Sequence, residues 1–227
     1  NGKGVGEFTT GVPIAKVGVV GGDAKLDTAQ KKFGTASLEL DGTADNLTYP
    51  TSTDFGFGTT NWAAECFIRP TSVTGTQYIF DFRTGSATDT APTVYLNGTA
   101  LHFGVGNTSQ ATGGTLSTGT WYHVAVARSG GSTKLFLDGT QVGSTYTDTN
   151  NYGTTKPVAI GSDYNSAANA FAGHIDEVRI SKAAARYTAN FTAPTSAFGN
   201  DLNTVLLIHF DGTDGATTIT DSSGGVK

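Results

Sequence analysis

The sequence predicts an all-β protein built as a two-sheet antiparallel sandwich, on three observations. Short runs alternating apolar with polar residues recur from Phe33 onward. Turn residues, among them Asn97-Gly98 and Asp138-Gly139, separate these runs. Only the stretch SKAAARYTANF carries helix-forming residues, allowing at most a short helical turn near 182–189. Alternation with a period of two marks half-buried strands, and a dozen of them with almost no helix must pack sheet on sheet.

The elements follow in chain order. Residues 1–16 are Gly- and Thr-rich and weakly patterned, and read as an N-terminal extension. ASLELDG (36–42) sets Leu38 and Leu40 on one face and ends in an Asp-Gly turn. NWAAECFIRP (61–70) sets Trp62, Ala64, Cys66 and Ile68 on one face and Glu65 and Arg69 on the other, so Glu65 is expected to point to solvent. QYIFDFR (77–83) precedes TVYLNGTALHFGVG (93–106), which Asn97-Gly98 folds into a hairpin. WYHVAVARSGGSTKLFLDGTQVGS (121–144) reads as three strands joined by a Gly-Gly and an Asp-Gly turn, and KPVAIGSDY (156–164) adds another. NTVLLIHFDG (203–212) is apolar on both faces, as a central strand covered on both sides would be. Residues 213–227 form a polar Thr/Asp/Ser/Gly tail.

Bulk properties narrow the function. The 31 glycines in 227 residues suit many turns, and 37% hydrophobic residues suffice for a core, so disorder is not expected. A net charge of -5 without charge blocks argues against a nucleic-acid partner. No apolar run reaches membrane-spanning length, and residues 1–20 lack a signal peptide's apolar core, so no membrane insertion is expected. The single cysteine, Cys66, excludes an intrachain disulfide and reads as a small buried hydrophobe. The chain has no methionine, which makes it read as a piece of something longer.

In FAGHIDEVRIS (171–181) the alternation slips by one between Ile175 and Val178, where Asp176 and Glu177 stand side by side. Such a slip fits a β-bulge that turns Asp176 toward a neighbouring loop.

FGTASLELDGTADNLTYP, NWAAECFIRP, GTWYHVAVARSGGSTKLFLDG and FAGHIDEVRIS, in this order, resemble the laminin-G-like (concanavalin A-like lectin/glucanase) jelly roll. The resemblance runs from about Val17 to Ile180 and looks most like the tandem versions found in bacteriophage tail-fibre and other virion proteins. It implies a laminin-G-like jelly roll over 17–212. In the family a segment like LLIHFDGTDG opens the domain; here it comes last, so strand 204–210 either closes its own domain, begins a next repeat or lies in a neighbouring subunit. The resemblance also implies a structural calcium ion near the IDEVRI strand, with Asp176 and Glu177 as ligands and Asp41 and Asp45 nearby. The plainer reading is turn acids bonded to backbone N–H groups.

Sugar-binding versions of the fold combine aromatic rings with amides and acids. The predicted loops STYTDTNNYGTTK and SDYNSAANAF offer Tyr146, Asn150, Asn151, Tyr152, Asp163, Tyr164 and Asn165, although Tyr and Asn are also ordinary turn residues. Catalysis is not expected. Glycosidases oppose two carboxyls across the scissile bond, and of the four glutamates (Glu7, Glu39, Glu65, Glu177) only Glu39 has an acid two residues away, Asp41, in a stretch whose family counterpart is structural. The four histidines are scattered without zinc spacing, and His123 reads as a structural histidine. The expected protein is thus an extracellular, virion surface or tail-fibre domain that binds cell-surface glycan, in a homo-oligomer or larger assembly with other virion proteins. The competing expectation is a decoration or assembly protein acting through subunit contacts alone.

Overall fold

The computed structural model describes residues 15–85, 88–164 and 167–224. Its strands, in chain order, are β1 (Val19–Gly21), β2 (Lys25–Asp27), β3 (Ser37–Asp41), β4 (Asn46–Ser52), β5 (Trp62–Pro70), β6 (Thr76–Asp81), β7 (Pro92–Asn97) and β8 (Ala100–Val105). There follow β9 (Thr108–Gly113), β10 (Tyr122–Ser129), β11 (Ser132–Leu137), β12 (Thr140–Thr147), β13 (Lys156–Ile160), β14 (Ala172–Lys182) and β15 (Thr204–Ile208). They form an antiparallel sandwich. One sheet of seven runs β1-β4-β13-β6-β7-β8-β9; the other, of eight, runs β12-β11-β10-β5-β14-β3-β2, with β15 added beside β14.

The alternation in the sequence is the alternation of this sandwich. Leu38, Leu40, Trp62, Ala64, Cys66, Ile68, Val124 and Val126 all point into one core, where Trp62 stacks on Phe57 at 4.8 Å between ring centroids. Buried apolar area of this kind drives the fold, at roughly 1.5–3 kcal/mol for each fully buried large side chain. The Asn97-Gly98 hairpin forms as expected, Leu96 facing Leu101. Gly98 has φ +60, the left-handed conformation that such a tight turn demands.

The strand β14 organises the eight-stranded sheet. Along one side it pairs with β5 over its length. On its other side it pairs first with β3, from Ala172 to Ile175, and then with β15, from Val178 to Ser181. The change of neighbour falls on a bulge: Asp176 faces Phe67, but Arg179 already faces Glu65, and Glu177 between them has φ +52. The slip at 175–178 is therefore the point where one strand serves two partners in turn.

Two features depart from expectation. Residues 182–189 contain no helix: Ala183 and Arg186 take positive φ, which an α-helix excludes, and the segment from 183 to 203 runs as an irregular strap across the outer face of the eight-stranded sheet. Tyr187, Phe191 and Phe198 anchor it on Ala63, Ala125, Ala127, Phe136 and Phe67. Glu65, expected in solvent, consequently lies buried beneath it.

β15 is not a central strand either. Among the described residues it has one strand neighbour, and its double-sided burial comes from different sources. Leu206 and Ile208 enter the main core, while Leu207 packs with Phe67 and Phe198 under the strap. The polar tail covers its remaining edge, since Leu207 O accepts Ser222 N at 2.7 Å and Leu207 N donates to Asp221 Oδ1 at 3.2 Å. Asp221 Oδ2 also accepts Lys16 N at 2.8 Å, so residues near both ends of the described chain lie side by side.

Candidate functional site

The two outer faces of the sandwich differ. The strap covers one, whereas across the seven-stranded sheet the outward positions Tyr78, Tyr95, His102 and Thr112 stand in register on β6, β7, β8 and β9. Tyr78 is 8% exposed, Tyr95 and His102 are half-buried, and Thr112 is exposed. Neighbouring strands lie about 4.8 Å apart, close to the stacking distance of flat rings, so side chains upright on adjacent strands stack. Tyr95 and His102 do so at 4.9 Å and 10°, and Tyr78 meets Tyr95 at 5.3 Å and 44°. The Arg83 guanidinium lies 4.9 Å from the centroid of the Tyr78 ring.

The row offers ring edges, hydroxyls and imidazole nitrogen to a ligand. Thr112 Oγ1 at 2.8 Å and Ser109 Oγ at 3.0 Å surround His102 Nδ1. Each hydroxyl can donate to Nδ1 or accept from it, so the site adapts to either tautomer of the neutral ring. Burial lowers the pKa of His102, which keeps the ring uncharged at neutral pH. Burial likewise raises that of Tyr78.

Polar side chains border the row. Arg83 grips Asp81 with two parallel bonds, Nε to Oδ1 at 2.9 Å and Nη2 to Oδ2 at 2.7 Å, and its Nη1 reaches Asn107 Oδ1. Asp81 Oδ2 also accepts Tyr164 N at 3.0 Å, which ties the loop after β13 to this edge. On the next side Lys156 pairs with Asp89 Oδ1, and Asp89 Oδ2 accepts the N–H of Thr84 at 2.6 Å. A shallow cleft of about 250 Å³ opens between Thr88–Thr90 and Val105–Thr108.

The structure divides the residues expected to bind sugar. Asp163 and Tyr164 belong to the loop that Asp81 holds, and both are half-buried. Asn165 lies outside the described residues. Tyr152 does not belong to a binding surface. It is fully buried, packs against Trp62 at 6.1 Å, and its hydroxyl donates to Asp148 Oδ2 at 2.7 Å. Tyr146 leans on Phe103 at 6.1 Å and its hydroxyl accepts Asn150 Nδ2 at 3.1 Å. Asn151 is exposed but caps its own turn, Oδ1 accepting Gly153 N at 2.9 Å. The row Tyr78-Tyr95-His102 was legible only as one ring per strand at outward positions of QYIFD, TVYLN and ALHFG, a signal that loop-centred reasoning passes over.

The four expected calcium ligands do not form one group. Asp41 faces Ala172, four residues along β14 from Asp176, which at about 3.3 Å per residue separates the two by ~13 Å. Asp41 and Asp45 instead gather with Asp23, one carboxylate oxygen from each lying within 4.8 Å of the others. Asp45 there accepts Asp23 N at 2.9 Å and Asp41 N at 2.8 Å. Asp176 accepts three backbone N–H groups, from Lys32 at 2.7 Å, Phe33 at 3.1 Å and Glu177 at 2.8 Å, which is the bulge re-aiming its side chain at a loop. Glu177 accepts Phe198 N at 2.8 Å and pairs with His209 Nδ1 at 2.9 Å. A further group, Asp27, Glu39 and His174, has donor atoms equally close, with His174 Nε2 bonded to Asp27 at 2.9 Å.

Under the strap, Glu65 is the hub of a second polar network. It accepts Arg179 Nε at 2.8 Å and Tyr187 OH at 2.8 Å, and meets His123 Nε2 at 3.1 Å. His123 is thereby a structural histidine, fully buried against this carboxylate.

A family model described as the concanavalin A-like lectin/glucanases superfamily matches residues 41–186. Among solved structures, a Bacteroides ovatus protein whose description proposes carbohydrate binding superposes with a TM-score of 0.61 at 16% identity, covering 93% of this chain and 57% of its own. Tailspike protein 2 of an Escherichia coli O157:H7 bacteriophage gives a TM-score of 0.63 at 16% identity over 89% of this chain and 31% of its own. Domain 4 of the extracellular arabinanase AbnA from Geobacillus stearothermophilus, solved with arabinotriose, gives 0.53 at 19% identity over 72% of this chain and 81% of its own. The chain thus spans little more than half of the Bacteroides protein and about a third of the tailspike. No curated protein sequence matches it significantly.

Proposed function

The chain belongs to the concanavalin A-like lectin/glucanase superfamily, and from that premise we propose a non-catalytic domain that binds glycan on the open face of its seven-stranded sheet. One observation carries this reading: the in-register row Tyr78-Tyr95-His102 lies on the face that no strap covers among the described residues, bordered by the Asp81–Arg83 pair and the loop bearing Asp163 and Tyr164. Polar groups fixed by their neighbours lose little entropy on binding a sugar, which favours such a surface. A non-catalytic role is supported by the fate of the acids. Glu65 and Glu177 are buried at the strap, and Asp81 is held by Arg83.

The setting we infer is extracellular, on a virion surface or tail fibre that meets host carbohydrate, in keeping with the similarity to a phage tailspike. A structural calcium belongs to the same reading, now at Asp23, Asp41 and Asp45, with backbone carbonyls and water completing its six to eight oxygens. An assembly role is favoured by one feature: among the described residues β1 is an edge strand, and Val17 just before it and Val19 within it are 81% and 62% exposed.

The test is a glycan array probed with the protein and with Tyr95→Ala and His102→Ala. Each substitution is expected to weaken binding at least about tenfold, the equivalent of ~1.4 kcal/mol, without altering the fold. Undiminished binding by both variants overturns this site.

A further inference from the structure

The electrostatics of the open face point to the kind of glycan it takes. The strands of the seven-stranded sheet contain one lysine, Lys156, and no arginine. Arg83, just past β6, supplies the other cation of the site among the described residues. Both are spent. Arg83 is 8% exposed, neutralised by two bonds to Asp81, turned to Asn107 by a third, and stacked on Tyr78. Lys156 is 8% exposed and paired with Asp89. Among the described residues the remaining candidate is His102, whose pKa burial lowers and whose Nδ1 is surrounded by hydroxyl groups.

Anionic sugars, uronic acids, sialic acids and sulfated residues alike, are held in proteins by charge-assisted bonds from arginine or lysine with charge to spare. Here a ligand carboxylate would find both cations already bound, Arg83 to Asp81 and Lys156 to Asp89, and would approach those two acids. Like charges brought together at a partly desolvated surface disfavour binding. What the face does offer is uncharged and directional: the edges of Tyr78 and Tyr95, the imidazole of His102, and the hydroxyls of Ser109 and Thr112. Those groups match the hydroxyls of a neutral sugar.

Resting on the carbohydrate-binding reading above, we propose that this site selects neutral glycan and excludes acidic glycan, with the Asp81–Arg83 and Asp89–Lys156 pairs as the specificity-determining elements. The pairs act by withholding positive charge. Because no net ionic attraction is used, binding should also be insensitive to salt.

The experiment compares matched pairs of oligosaccharides that differ only in carboxylate or sulfate groups, lactose with lactose 3′-sulfate and galactotetraose with tetragalacturonate among them, at roughly 50 and 500 mM NaCl. The intact protein is expected to bind neutral members at least tenfold better than their acidic partners, with affinity unchanged between the two salts. Asp81→Asn releases the charge of Arg83 and is expected to bring the ratio toward one by raising affinity for the acidic member. Asp89→Asn releases Lys156 in the same way and serves where Asp81→Asn does not fold. Preference of the intact protein for acidic glycan, or affinity that falls with salt, overturns the specificity while leaving carbohydrate binding in place. Unchanged ratios in folded variants overturn the role of the pairs. Binding to no glycan at all removes both readings.

Discussion

The carboxylate of Glu177 accepts the backbone N–H of Phe198 at 2.8 Å, and so fastens the strap to the bulge of β14. Glu177 does this from a backbone with φ +52, a conformation that costs a residue with a Cβ about 1–2 kcal/mol. Glu177→Ala keeps that strain and leaves the buried Phe198 N–H unpaired, so it should destabilise the protein by about 2–3 kcal/mol in urea unfolding. Glu177→Gly loses the same bond but relieves the backbone, and should be less harmful by about 1 kcal/mol. A glycine variant no more stable than the alanine variant refutes the strain.

The acids at the bulge also set a pH dependence. Burial pushes Asp176 up to about 7, against the pull of its three N–H bonds. The folded state then holds more protons than the unfolded one between about pH 4 and 7, and stability falls as pH rises through that window. His209 is raised by its bond to Glu177, so its contribution is full below about 6.5 and is lost as pH climbs through the folded value. Asp89 is opposite: despite burial, Lys156 and Thr84 hold it low, and its contribution is lost only in acid. The melting temperature should accordingly be higher near pH 5.5 than near pH 8.5, and Asp176→Asn should flatten the slope across roughly pH 4–7. An intact slope in that variant assigns it elsewhere.

Tyr152 separates structure from binding. Replacing it with Phe removes a buried hydroxyl that donates to Asp148 at 2.7 Å, at an expected cost of about 1–2 kcal/mol. Glycan affinity should not change, because the ring lies in the core. A fall in affinity with stability preserved would return Tyr152 to the binding surface.

Calcium is expected to raise the melting temperature of chelator-treated protein, because an ion bound only by the folded state stabilises it by mass action. Asp45→Asn should abolish that increase, and Asp176→Asn should leave it intact. The reverse pattern would put the ion back at the bulge.

Much of this architecture was legible in the residues. A period of two is a local property, and the Leu38/Leu40 and Trp62/Ala64/Cys66/Ile68 faces needed nothing more to be assigned. The bulge was legible for the same reason, as a break in that period. What stayed hidden depends on contacts across the chain. Nothing in SKAAARYTANF announces that its aromatic rings will cap Ala63, Ala125 and Phe136, or that Glu65 will be covered. β9, with the polar sequence TSQATG, carries no hydrophobic signal because it lies at a sheet edge. The row Tyr78-Tyr95-His102 escaped notice because stacking depends on register, and register joins residues as distant as Tyr78 and Thr112.

The bulge of β14 has a last consequence, for the order in which the chain can fold. Ala172 meets Asp41 and Lys182 meets Trp62 across more than a hundred residues, and the second half of β14 needs β15 as well. Loop closures of that span precede any reward from the contacts they make, and domains dominated by them fold in milliseconds to seconds rather than microseconds. A chain emerging from the ribosome therefore holds β3 and β5 without their shared neighbour until residues 172–182 appear. Through that interval their exposed edges are the place where a chaperone would bind or a misfolded dimer would begin.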